Sequence, residues 1–180
     1  EMLSALKKPM GGWTYEEVIG GKINVLGGSI VGESDDNVSI TLNSGQFELV
    51  APSNTVKATT GNYAVTVGGS AYINKLVAGE LAEGAVGSRE SSDITITDEA
   101  VANTLYVVGD TAATKEVTVN ILNGKLLNIR ERRADASGTV GNLIVKLADP
   151  DLIPETIYTS NETALSGSKR LVVSGEGYLS

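Results

Sequence analysis

The residues able to do chemistry are few and scattered. The chain has neither histidine nor cysteine. That removes the commonest general base, the usual catalytic zinc ligand, the switch near neutral pH and all thiolate chemistry. A nucleophile–His–acid triad is excluded outright. Ser166 and Lys169 satisfy S-x-x-K, but they stand in a Gly/Ser stretch ahead of a strand rather than at the start of a helix, so the segment reads as a turn. The pairs Glu16/Glu17, Asp35/Asp36 and Asp149/Asp151 are neighbours in sequence. Carboxylates that cleave glycosides must instead face each other across a cleft with aromatics beside them. GESDDN at 32–37 carries three acids, Glu33, Asp35 and Asp36. It lacks the spacing and terminal Glu of an EF-hand loop and reads as a solvated acidic turn.

Other motifs are equally plain. The Gly-Gly pairs at 11–12, 20–21, 27–28 and 68–69 follow no phosphate-loop pattern; those beside strand-like runs serve turns, and 11–12 a hinge. Arg130, Arg132 and Arg133 form the one basic cluster, interrupted by Glu131, in a chain of net charge −8. That balance opposes nucleic-acid binding, which needs clustered cations to neutralise phosphates. Asn37-Val-Ser39 and Asn161-Glu-Thr163 have the form of N-glycosylation acceptors, at a frequency expected by chance in a chain rich in Asn, Ser and Thr. No catalytic, cofactor-binding or metal-ligating residue emerges. Aromatics make up 4% of the chain, which counts against a sugar-stacking surface. No apolar run is long enough to span a bilayer as a helix.

The elements that would position any site are strands. From 37 to 77 the chain reads as five short runs, NVSITL, QFELVA, TVKATT, YAVTVG and AYINKLV, divided by NSG, PSN, GN and GS. Val38, Ile40 and Leu42 alternate with Ser39 and Thr41, and Tyr63, Val65 and Val67 with Ala64 and Thr66. Alternation of period two gives one apolar and one polar face. Turns of two or three Gly/Asn residues favour hairpins, and such short links join antiparallel neighbours, since a parallel pair needs a long crossover. The expected fold is therefore all-β: an antiparallel meander closing into a two-layer sandwich or barrel, with a β-solenoid as the alternative.

Further strands are expected at 22–26, 93–97, 104–108, 116–122, 125–130, 142–147 and 170–174, with Asn123-Gly124 as a hairpin turn of type I′. Residues 78–91 read as a long loop that could divide the β-rich domain, 15–180, into halves at 15–77 and 92–180. Residues 148–169 form a second acidic loop. A weak echo with intervals of 41, 41 and 39 residues starts at 20, 61, 102 and 141, a spacing that would suit an array of duplicated β units.

Residues 1–14 carry Met2, Leu3 and Leu6 at helical spacing, then a Gly-Gly hinge and Trp13. A monomer would leave this apolar arm exposed. The expectation is thus a non-enzymatic structural subunit that binds copies of itself, as in a virion tail, capsid or decoration protein or an extracellular filament. It would be found in a virion or outside the cell, with other virion or surface proteins as further partners and with no nucleic acid and no membrane insertion. The contact residues would be Leu3, Leu6, Trp13, Tyr178 and Leu179, and the segment 171–180 is a second candidate for strand exchange. The alternative is a monomeric adhesin or carbohydrate-binding module, stabilised by calcium through its loops.

Overall fold

A computed structural model describes residues 17–19, 23–26, 29–32, 37–51, 61–79, 88–109, 113–133, 136–157 and 167–174. For the first three segments it describes the backbone alone. The strands are β1 (Glu17–Ile19), β2 (Ile23–Leu26), β3 (Ser29–Gly32), β4 (Val38–Leu42), β5 (Gln46–Ala51), β6 (Asn62–Val67), β7 (Tyr72–Val77), β8 (Ser88–Ile96), β9 (Val101–Tyr106), β10 (Ala113–Ile121), β11 (Lys125–Arg130), β12 (Thr139–Leu147), β13 (Thr156–Ile157) and β14 (Lys169–Val173). They form two seven-stranded sheets. Sheet A has the order β1-β4-β6-β8-β10-β12-β14, and sheet B the order β13-β11-β9-β7-β5-β3-β2.

Consecutive strands from β4 onward thus belong to opposite sheets, and each pairs with a strand one full coil away. Every pairing along sheet A from β4 to β14 is parallel, as is every pairing along sheet B from β3 to β13. The molecule is a β-solenoid. Among the described strands only β1 against β4 and β2 against β3 are antiparallel. The antiparallel meander is therefore corrected, and the alternative expectation holds. A tight turn need not make a hairpin. It can also fold the chain through an arc, so that the next strand faces its predecessor across the core. The crossover that a parallel pair requires is then supplied by the strand in the other sheet.

Sheet A shows why the alternation was so clear. Its register pairs Val38 with Tyr63, Tyr63 with Ser92, Ser92 with Val117, Val117 with Leu143 and Leu143 with Lys169, so one coil takes 25, 29, 25, 26 and 26 residues. In register with these runs the column Ile40–Val65–Ile94–Val119–Val145, and then Leu42–Val67–Ile96–Ile121–Leu147. All ten side chains of those two columns are buried. Burying an aliphatic side chain of this size contributes about 1.5–3 kcal/mol. In the first column Ser92 breaks the apolar run, and its Oγ donates a 2.6 Å hydrogen bond to the carbonyl of Ala78. The outward positions, Thr41, Thr66 and Thr95, lie in register with one another and keep partial contact with solvent.

Sheet B follows another rule. Its buried pairs are Phe47/Val50, Ile73/Leu76, Ala102/Leu105 and Leu126/Ile129. Regular pleating would bury residues two apart; a spacing of three requires each strand to turn a corner midway. Among the described residues one hydrophobic cluster runs between the sheets from Val38 to Leu147. Residues 88–91, expected in a loop, belong to β8.

The arcs from sheet A to sheet B stack as closely as the strands. Four of them, after β4, β6, β8 and β10, each hold one residue of positive φ: Gly45 at 90°, Gly69 at 52°, Asp98 at 56° and Gly124 at 71°. Asn123-Gly124 is such an arc rather than a hairpin, because β10 and β11 lie in different sheets. Each arc bonds to the next. Ser70 N–H donates to the Asn43 carbonyl (3.1 Å), Glu99 N–H to Gly69 (3.1 Å) and Lys125 N–H to Ala100 (2.9 Å). A Cβ on Gly69 would stand 1.9 Å from the Asn43 carbonyl oxygen, so this residue must be glycine on two counts. The arc after β12 differs: it contains a 3-10 turn, Pro150–Leu152, whose first residues are capped by Asp149.

The 41-residue echo does not mark the coil. Its copies fall on β2, β6, β9 and β12, which alternate between sheets B and A. The arm at 1–14, the expected strand at 55–60 and residues 80–87 lie outside the described residues.

Candidate functional site

Polar chemistry on the coil surface is spent on stacking. On sheet B, Asn74 Nδ2 donates to both carboxylate oxygens of Glu48 (3.1 and 3.0 Å), Asn103 Nδ2 to Asn74 Oδ1 (3.0 Å), and Asn128 Nδ2 to the Asn103 carbonyl (3.1 Å). Where sheet A begins, Asn62 N–H donates to Asn37 Oδ1 (2.8 Å), Ser91 Oγ to Asn62 Oδ1 (3.0 Å), and Ser168 N–H to Asn142 Oδ1 (2.9 Å). Lys115 pairs with Glu90 on the neighbouring coil, and Lys75 with Glu48 at 3.5 Å. These groups close rung-to-rung gaps and do not converge on a common point.

The sequence motifs are absorbed in the same way. Asp149 Oδ1 accepts from Asp151 N–H at 2.9 Å, so this acid pair caps a turn. Arg132 Nε donates to Glu131 Oε1 (3.0 Å) and its Nη1 to the Ala136 carbonyl (3.2 Å), which ties the basic cluster to its own loop. Lys169 opens β14, while Ser166 lies outside the described residues. Asp35, Asp36, Glu16 and Asn161 lie outside them too, and Glu17 falls in β1. Among the described residues no three His, Cys, Asp or Glu side chains gather as a metal site would need, and no helix is long and apolar enough to cross a membrane. A shallow cleft of about 250 Å³ lies along Gly124–Leu127 and Asp151–Ile153.

Among the described residues, the C-terminal end of the solenoid departs from the closed pattern. There β14 continues the ladder, with Leu143 to Leu147 paired to Lys169 to Val173. Ser174 N–H donates to the Leu147 carbonyl and Leu143 N–H to the Ser168 carbonyl, both at 2.9 Å. Among the described strands β14 is the last of sheet A and β13 the last of sheet B. Leu171 continues the column Ile40–Val65–Ile94–Val119–Val145. Val145 is 3% exposed and Leu171 is 45% exposed. Leu143, Val145, Ile157, Lys169, Arg170 and Leu171 line an open cavity of about 210 Å³. An exposed edge strand with apolar side chains is a template for pairing with another chain.

Of the expected contact residues, Leu3, Leu6, Trp13, Tyr178 and Leu179 all lie outside the described residues. The candidate segment 171–180 is described as far as residue 174, and Leu171, Val172 and Val173 lie in the edge strand. The reading of the sequence did not single out Ile157 or Arg170. Ile157 stood in what looked like an acidic loop, and Arg170 began a run read only as one more strand. Arg89, expected in a loop, is fully buried at the start of β8. Neither a family model, nor a curated protein, nor a solved structure matches the chain.

Proposed function

We propose that the protein is a non-enzymatic structural subunit that assembles with copies of itself into a larger particle or filament. A virion component or an extracellular appendage is the setting such a subunit suits. The observation that carries this reading is the open apolar end. The column that buries Ile94 and Val119 reaches, among the described residues, its last member at Leu171, whose side chain is still half in water. A solenoid grows by adding strands in register to its last rung, and each rung contacts only its neighbours. A further chain laid on β14 and β13 would extend both sheets. The polar side chains support the same reading, because they bond coil to coil instead of converging on a substrate.

Size as a function of concentration tests the proposal. Light scattering and negative-stain microscopy of the full chain are expected to show species that grow in number and length as concentration rises. A monodisperse monomer over the whole range would refute self-assembly and turn attention to the loops of the binding-module reading.

A further inference from the structure

We infer that the C-terminal end of one copy receives the opposite end of the next, so that assembly is in-line and open rather than a closed dimer; this rests on the self-assembly reading.

Strand polarity is the first condition that this joint meets. At the C-terminal end, β14 and β13 run parallel to the strands they follow, β12 and β11. At the other end the last described strands are β1 in sheet A and β2 in sheet B. Both are reversed: β1 runs antiparallel to β4, and β2 antiparallel to β3. An in-line copy would therefore meet β14 with β1 and β13 with β2, giving two antiparallel pairs at one joint. Each sheet would continue across it, with backbone hydrogen bonds supplying the contact as in strand addition.

Register is the second. Val18 pairs with Ile40, Ile19 with Ser39 and Glu17 with Thr41. The Ile40 column ends on Leu171, the Ser39 column on Arg170 and the Thr41 column on Val172. Stacking without a lateral shift therefore sets Val18 of the next copy opposite Leu171, the exposed apolar residue. It also sets Glu17 of that copy at the register position diagonal to Arg170, about 7–8 Å away along the joint.

Charge is the third. The edge strand β14 carries Lys169 and Arg170 and no acid, whereas β1 carries Glu17 and no base. A two-fold dimer through two C-terminal ends would gather four cations on one joint, and like charges across paired strands destabilise it. The in-line joint brings opposite signs together. It is also heterologous, and a head-to-tail contact that does not close on itself makes a filament.

The test is sedimentation and electron microscopy of the full chain, of Glu17→Lys, of Arg170→Glu and of the two variants mixed in equal amounts. Each variant carries like charges at positions 17 and 170. Each alone is expected to raise the threshold concentration for growth about fivefold, because a reversal both removes an exposed ion pair and sets like charges in its place. The mixture restores growth, because alternating copies again match. Leu171→Lys, at a position already in contact with water, serves as a second variant whose folding is not at issue, and it is expected to stop growth. A species that halts at the dimer and ignores Glu17→Lys would overturn the in-line joint while leaving self-association intact. A monomer at every concentration would remove the self-assembly reading itself, and the joint with it.

Discussion

The middle of the solenoid and its C-terminal end are built from the same kinds of residue, yet they differ in what covers them. In the middle, Ile94 and Val119 have a rung on either side and lie wholly or almost wholly buried. At the end, Leu171 occupies the same column with a described rung on one side only and is 45% exposed. Sequence alone does not separate DITIT from RLVVS. Burial here is a property of stacking, conferred by the neighbouring coil, so it fades at the last rung. That last rung is the place where a second molecule has most to contribute.

Substitutions sharpen this contrast. The largest effect is expected from Ile94→Ala, which empties a site closed on all sides. It should cost about 2–5 kcal/mol and, at about 2–4 °C per kcal/mol for a chain of this size, lower the melting temperature by roughly 4–20 °C. If thermal melts show a loss no greater than that of Leu171→Ala, the distinction between middle and end fails. Gly69→Ala comes next. It forces a side chain into positive φ and against the Asn43 carbonyl, at about 1–3 kcal/mol, measured by urea unfolding. A neutral result would mean that the arcs after β4 and β6 are not in contact.

Asn74→Ala interrupts the amide ladder between the coils of β5, β7 and β9. About 1 kcal/mol is expected, as for a typical hydrogen bond in a folded chain, and a double-mutant cycle with Asn103→Ala should show the two losses to be coupled. Leu171→Ala should change the melting temperature of a dilute monomer by less than any of these, while weakening assembly at high concentration. Smallest of all is Lys115→Ala. Its exposed pair with Glu90 is worth about 0.5 kcal/mol, and the loss should shrink further in high salt.

Much of the strand content was legible in the sequence, because sheet A buries one face only and its alternation survives in the residues. Strand β11 falls at 125–130 as expected, and β4, β5 and β6 stand close to their expected places. The topology was hidden by the turns. Gly and Asn are needed wherever φ is positive, whether the chain then doubles back as a hairpin or folds through an arc. The two outcomes differ in which strand the next one pairs with, and that is settled by residues a whole coil away. Sheet B concealed the period as well, because Phe47/Val50 and Ile73/Leu76 do not alternate. The coil of 25–29 residues varies enough to be lost beneath the echo of 41. At the candidate site, the apolar run at 171–173 was visible, but its place at an edge was not, since nothing local distinguishes a last rung from an inner one.

Hydrogen exchange tests the contrast between middle and end most directly. Backbone amides of β8, β10 and β14 would be followed by mass spectrometry in the full chain at low and at high protein concentration. Expected is slow exchange in β8 and β10 at both, with β14 fast when dilute and markedly slower when concentrated, as another copy covers the edge. A β14 that exchanges at the same rate at both concentrations would contradict an open end awaiting a neighbour.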